Sequence, residues 1–303
     1  MKPLIECVPN VSEGRNSKIL DGLQEAIKTV KGVALLDVHT DPDHHRSVLT
    51  FAGYPQAVIQ AAFQLVNVAT TLIDVTAHCG EHPRVGAVDV VPLIPLQETT
   101  MAQCVEWAKN LGEKIGSQLQ LPVFLYEESC PRPERRRLEV IRRGGLASLA
   151  SRIKNDPAWV PDFGPQRIHP TAGAVVVGAR PILIAFNVVL QSDNIEIARA
   201  IARTIRSSSG GLPFLKAIGV RLESRHVVQV SMNLTNYHET SMEAAFEAVQ
   251  QESHRFGVEI VESELVGLIP RDALDPMKAG SLQLRNWKPD KVLETCLDQS
   301  SLT

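Results

Sequence analysis

One order of secondary-structure elements occurs twice along this chain, and two copies of it leave few folds open. In the first half, Leu4 to Val8 is a short apolar run that predicts a strand, followed by a polar connection from Pro9 to Arg15. Ile19, Leu20, Leu23, Ala26, Ile27 and Val30 recur at the spacing of one helical face, with Asn16 or Ser17 able to cap the start and Gly32 to end it. Val33 to Val38 and Ser47 to Phe51 predict strands, with His39 to Arg46 as a polar loop between them. Pro55 opens a helix through Leu72 that is apolar nearly all round and is therefore expected to be buried. Ala87 to Val91 closes the unit as a further strand, giving β-α-β-β-α-β, the split arrangement of ferredoxin-like folds. A helix near Met101 to Leu119 and a strand from Val123 to Tyr126 extend it.

The second half repeats the order. Ile182 to Leu190 predicts a strand, and Asp193-x-x-Glu196 has the form of a capping box for a helix ending near Ile205. After the flexible Ser207 to Gly211, strands are expected at Leu215 to Leu222 and Val227 to Met232. Thr240-x-x-Glu243 would cap a helix ending near Phe256, and Val258 to Val261 is the closing strand. The expected fold class is α+β: two ferredoxin-like subdomains, residues 1–178 and 179–303, with a substrate cleft between them. The length of 303 residues agrees with two domains at roughly 100–200 residues each.

Composition narrows the function. The net charge of -3 provides no broad basic surface, so nucleic acid and anionic membrane are not expected as main partners. Aromatic residues make up 5%, too few for extensive base stacking. The five cysteines are scattered, without a C-x-x-C pair, which points to free thiols in a reducing compartment. With no signal-like N-terminus and no apolar run of about 18 residues, a cytoplasmic location is expected.

Three polar clusters interrupt the apolar segments. In Asp37-x-His39-x-Asp41-Pro-Asp43-His44-His45-Arg46 the His and Asp residues are metal-capable but lack standard spacing, so hydrogen bonding to a polar substrate and a plain surface loop are the better readings. The second, His78 to Asp89, holds His82 beside Glu81 and Arg84 on a Gly/Pro loop, where an acid-base role suits an imidazole. The third runs from Pro161 through Gly173 to Arg180 and lacks nucleotide-loop spacing. The charged run Cys130 to Arg137 reads as a solvated connection. G-x-S-x-G is absent, which excludes the usual serine hydrolase elbow.

These clusters resemble the formiminotransferase domain of glutamate formiminotransferases and of formiminotransferase-cyclodeaminases. The matching segments are ECVPNVSEGR (Glu6 to Arg15), GEHPRVGAVDVVPLIPL (Gly80 to Leu96), PDFGP (Pro161 to Pro165), GARPILIAFNVVL (Gly178 to Leu190), QVSMNL (Gln229 to Leu234) and ELVGLIP (Glu264 to Pro270). The resemblance implies transfer of a formimino group from N-formimino-L-glutamate to the co-substrate tetrahydrofolate in histidine degradation. It also implies a homodimer, a catalytic His82, no metal, and folate binding by Phe163, Gly164, Pro165, Gln166, Arg167, Ile168, His169, Pro170, Thr171 and Ala172. Arg84 or Arg46 would hold the donor's carboxylates, and Asp37 the amidinium charge. His39 stands where some family members have an acid, so Asp41 or Asp43 would take that part, or the donor is a neutral formyl compound. Cyclodeaminase activity would reside on a separate protein. The rival readings are a formyltransferase using N-formylglutamate and a non-catalytic folate-binding protein.

Overall fold

A computed structural model describes residues 2–78, 83–300 and 302, with eight α-helices and two sheets among them. The chain divides into two units, Met1–Arg180 with Ser300–Thr303, and Pro181–Gln299.

In the first unit the order is β1 (Ile5–Cys7), β2 (Asn10–Val11), α1 (Ser17–Lys28), β3 (Val33–Asp41), β4 (Arg46–Gly53), α2 (Pro55–Leu72), β5 (Val88–Pro95), α3 (Met101–Gln118), β6 (Val123–Glu127), α4 (Leu138–Arg142), α5 (Gly145–Asn155) and β7 (Val175–Ala179). The short β1 and β2 both pair antiparallel with β4 on one side and β5 on the other. Beyond β4 lies β3 at the edge; beyond β5, β7 and then β6 are added in parallel.

Period-two alternation divides the side chains of the added strands between two cores. Val91, Leu93, Val123, Leu125, Val175 and Val177 join one cluster with the inner faces of α1, α2 and α3, while Val90, Phe124, Tyr126 and Val176 join another with Ile141, Leu149 and Ile153 of α4 and α5. Coverage on both faces is why these strands read as unbroken apolar runs. Helix α2 buries Val58, Ala61, Ala62, Leu65, Val66 and Ala69. Each larger side chain there contributes about 1.5–3 kcal/mol. Asn16, and not Ser17, caps α1: its side chain accepts the N–H groups of Lys18 and Ile19.

The second unit runs β8 (Ile184–Leu190), α6 (Ile195–Ile205), β9 (Leu215–Leu222), β10 (Val227–Leu234), α7 (Met242–Arg255), β11 (Ile260–Val266) and α8 (Leu293–Asp298). Its sheet is antiparallel in the order β11-β8-β10-β9. Two expected caps move by one residue. Asn194 caps α6 in place of Asp193, and Ser241 caps α7. Thr240 is drawn away because its hydroxyl donates to the Pro213 carbonyl at 2.5 Å.

Two larger expectations are overturned. His39 to Arg46 is not a loop: β3 runs on through Asp41 and β4 begins at Arg46, leaving residues 42–45 as the turn. Nor is Cys130 to Arg137 wholly solvated, since the side chain of Arg135 is 0% exposed. No helix among the described residues is long and apolar enough to cross a membrane.

Candidate functional site

A bulge in β3 gathers the first polar cluster. Register slips between Leu35 and Asp37, so Leu35 and Val38, three residues apart, both pack against the core. Asp37, His39 and Asp41 then share the opposite face, directly across from Thr50, Val48 and Arg46 of β4. Three of the expected donor-binding residues, Asp37, His39 and Arg46, therefore stand on one face of one hairpin. Without the bulge, alternation would have put Asp37 on the same side as Leu35.

The turn of that hairpin is tied down from several sides. Asp41 accepts the backbone N–H of His44 and, at 2.8 Å, its ring Nδ1. Burial alone would raise the Asp41 pKa, but the hydrogen bond and charge of His44, with that of Arg46, bring it down to about 2. His45 takes the left-handed conformation at φ 48, which aims its ring at the connection preceding α1. There Glu13 Oε1 accepts the N–H groups of Gly14, Arg15 and Asn16 at 2.7–2.9 Å and meets His45 Nε2 at 3.2 Å. Desolvation opposes ionisation of Glu13, yet these donors hold its pKa below the ordinary value. Gly14 is dictated by close approach, because a Cβ would lie 2.3 Å from the Asp41 carbonyl oxygen.

The second cluster closes over this turn. Arg84 donates to the carbonyls of His44 at 2.7 Å and His45 at 3.2 Å. Its Nη1 also lies 3.1 Å from His78 Nδ1; a guanidinium only donates, so Nδ1 is the acceptor and the His78 proton sits on Nε2. His78 stacks on His45 with ring centroids 4.0 Å apart. Burial, then the neighbouring His45 and Arg84, push the His78 pKa down to about 4, keeping that ring neutral at physiological pH. Arg46 is enclosed too. Burial and the charges of Arg142 and Arg84 lower its pKa to about 10 despite Asp41 and Asp89, and its buried Nε has no hydrogen-bond partner. Behind it, Asp89 accepts the Val85 N–H at 2.6 Å and pairs with Arg142.

Chemically, Arg46, Arg84 and Arg142 stand among the carboxylates of Glu13, Asp41 and Asp89, and one desolvated Arg46 nitrogen still lacks an acceptor, which suits a carboxylate. Glu13, His45 and His78 have ligand atoms close enough together for a metal ion. The surroundings are unfavourable for one, since a single Glu13 oxygen already takes three backbone donors and Arg84 points at His78. His82 lies outside the described residues, as do Cys79, Gly80 and Glu81.

Several residues of the expected folate segment have structural tasks. Phe163 packs on the core and seats against Gly112 and Gly116 of α3. Ile168 joins the second core, and His169 Nδ1 accepts the N–H groups of Thr171 at 3.3 Å and Ala172 at 3.0 Å. Gly164, Gln166, Arg167, Pro170 and Thr171 are exposed, while Pro165 is half-buried, so Gln166 and Arg167 are the long polar side chains this arch presents outward. By sequence, His45, His78 and Asp89 fell inside the polar clusters without being given roles, and Glu13 and Arg142 were missed as site residues.

Residues 4–180 match the family described as "Formiminotransferase domain, N-terminal subdomain", and residues 185–292 match "Formiminotransferase domain". The chain belongs to the formiminotransferase family. It is 46% identical over 298 residues to the glutamate formimidoyltransferase of Streptococcus pyogenes serotype M1, covering 98% of this chain and 99% of that one. The glutamate formimidoyltransferase of Thermoplasma acidophilum is 44% identical over 300 residues, covering 98% of each chain. The formimidoyltransferase-cyclodeaminase of Dictyostelium discoideum is 41% identical over 280 residues, which are 90% of this chain and 52% of that protein.

Proposed function

We propose that this formiminotransferase moves the formimino group of N-formimino-L-glutamate to tetrahydrofolate, giving formimino-tetrahydrofolate and L-glutamate, a one-carbon transfer in histidine catabolism. The observation that carries the reading is near full-length similarity to two stand-alone glutamate formimidoyltransferases. The hairpin supports it. Arg46, with an unsatisfied Nε, fits a donor carboxylate, and Asp37 and His39 on the same face fit the polar formimino end. Arg84 spends donors on two carbonyls and on His78, so in this reading it holds the hairpin turn and His78 in place. Gln166 and Arg167 fit the polar groups of a folate.

His82 is the acid-base residue in this reading. The pterin amine forms a bond to the formimino carbon and gives its proton to His82; the carbon–nitrogen bond to glutamate then breaks, and that nitrogen takes the proton back. An imidazole with an ordinary pKa near 6.5 can do both at neutral pH, and such catalysis contributes about 10²–10⁴-fold. No metal is needed for either step. Each unit, with its strands in the order fourth, first, third, second across the β-α-β-β-α-β core, supports a ferredoxin-like reading. A cytoplasmic homodimer completes the proposal.

The test is a parallel assay of N-formimino- and N-formylglutamate with tetrahydrofolate, followed by absorbance of the folate product. Transfer from the formimino donor is expected; preference for the formyl donor would favour the formyltransferase, and no transfer from either the binding protein. His82→Ala should abolish transfer while folate binding persists, and near-normal turnover would refute its role.

A further inference from the structure

The run Cys130 to Arg137 contains the most deeply buried cation of the first unit, and nothing in the reaction described above uses it. The Arg135 side chain is 0% exposed and packs its guanidinium 5.0 Å from the centre of the Phe124 ring. Its Nη2 meets Asp162 Oδ1 at 2.5 Å and its Nη1 donates to the Val160 carbonyl at 3.0 Å. Arg132 adds bonds to the carbonyls of Ala158 at 2.9 Å and Val160 at 3.1 Å. Acceptors at residues 158, 160 and 162 are thus all gripped by one short segment. On its other side Asp162 is fixed to β6: its N–H donates to the Val123 carbonyl at 2.8 Å, and its Oδ2 accepts the Leu125 N–H at 2.7 Å.

We propose that Arg135 is a positioning residue for folate, acting through Asp162 to set where the segment beginning at Phe163 leaves the sheet. This rests on assigning residues 163–172 to folate binding. That segment is an arch with two anchored ends, Asp162–Phe163 at one and the His169–Gly173 turn at the other, where the two residues exchange backbone hydrogen bonds. Gln166 and Arg167 lie between the anchors, so a shift at Asp162 is carried to both. A buried ion pair is a poor device for stability alone, because apolar residues of the same volume serve as well or better. Here Arg135 Nε lacks a partner, and burial lowers the guanidinium pKa although Asp162 opposes it. What the pair adds over an apolar contact is direction: two bonds from a planar fork fix one carboxylate and one carbonyl at once.

The discriminating variant is Arg135→Met/Asp162→Leu, which removes both charges and fills the space. Its thermal midpoint should stay close to the parent's, the loss of the Asp162 acceptor for the Leu125 N–H being set against the removal of two buried charges. Its Kd for tetrahydrofolate, measured by isothermal titration, should rise about tenfold, the loss of about one well-placed hydrogen bond to the ligand, while KM for the formimino donor stays within about twofold. A Kd within about twofold of the parent's, at a retained midpoint, overturns the proposal. Should the double variant lose its midpoint, Arg135→Lys, which keeps the charge without the fork, is read the same way: a raised Kd supports the clamp and an unchanged one refutes it. Arg167→Ala separates the clamp from the assignment beneath it. If that variant raises Kd and the clamp variant does not, only the clamp is refuted; if neither does, the assignment of the segment falls as well.

Discussion

Asp41 closes the turn that presents His45 and Arg46, and Asp41→Asn should remove a part of the first unit's stability that depends on pH in a defined direction. The carboxylate is buried to 16% exposure and is bonded twice by His44 at 2.8 Å. Burial pushes its pKa up, and His44 and Arg46 more than reverse this, taking it from 3.8 to about 2. A carboxylate whose folded pKa is depressed stabilises fully above its unfolded pKa and loses that contribution as pH falls through the folded value. The gap corresponds to at most about 2 kcal/mol at pH 5, falls to about 1 kcal/mol at pH 3, and vanishes well below pH 2. Asn at this position keeps an acceptor for the His44 backbone N–H but none for a protonated ring Nδ1, so only the part of the difference that varies with pH reports the charge. Urea unfolding of both proteins at pH 5, 4 and 3 would measure it, with the gap in unfolding free energy expected to narrow by about 1 kcal/mol across the series. A gap that stays constant, or widens as the solution becomes more acid, would show that the carboxylate's charge is not what secures the turn.

Three further outcomes are expected. Arg46→Met should raise KM for the formimino donor about 10- to 100-fold with little loss of stability, since it removes a desolvated guanidinium with an unpartnered Nε; an unchanged KM would move the carboxylate site elsewhere. Gly116→Ala would place a Cβ 2.6 Å from the Gly164 backbone nitrogen, so a cost of about 1–3 kcal/mol and weaker tetrahydrofolate binding should appear together in melting and titration experiments. Purified protein should turn over at the same rate after dialysis against a chelator; stoichiometric zinc with loss of activity on its removal would make Glu13, His45 and His78 a metal centre.

The order of elements in each β-α-β-β-α-β core was legible because burial leaves periodic marks, whereas α4, α5, β7 and α8 were not foreseen. Pro55–Leu72 is bounded by a helix-starting proline and filled at core spacing, so its limits could be read directly. The site was less legible for the same physical reason. Asp37, His39, Asp41 and Arg46 continue two strands, but the face they share carries polar residues, and polar residues in a row look like a loop. The bulge that sorts Leu35 and Val38 from Asp37 has no composition of its own. Arg135 failed differently: among four arginines in the run Arg132 to Arg137, only burial distinguishes the one that meets Asp162, and burial depends on a segment 25–27 residues further along. Charge is thus a weak guide where it is most consequential. A guanidinium enters a core only when a distant carboxylate meets it, and a sequence read locally shows the first partner without the second. Both misread segments therefore sit where the fold departs from apolar economy, at the hairpin of β3 and β4 and beneath the arch of residues 163–172. Those departures, more than the well-formed helices, mark the places that the proposed function assigns to substrate.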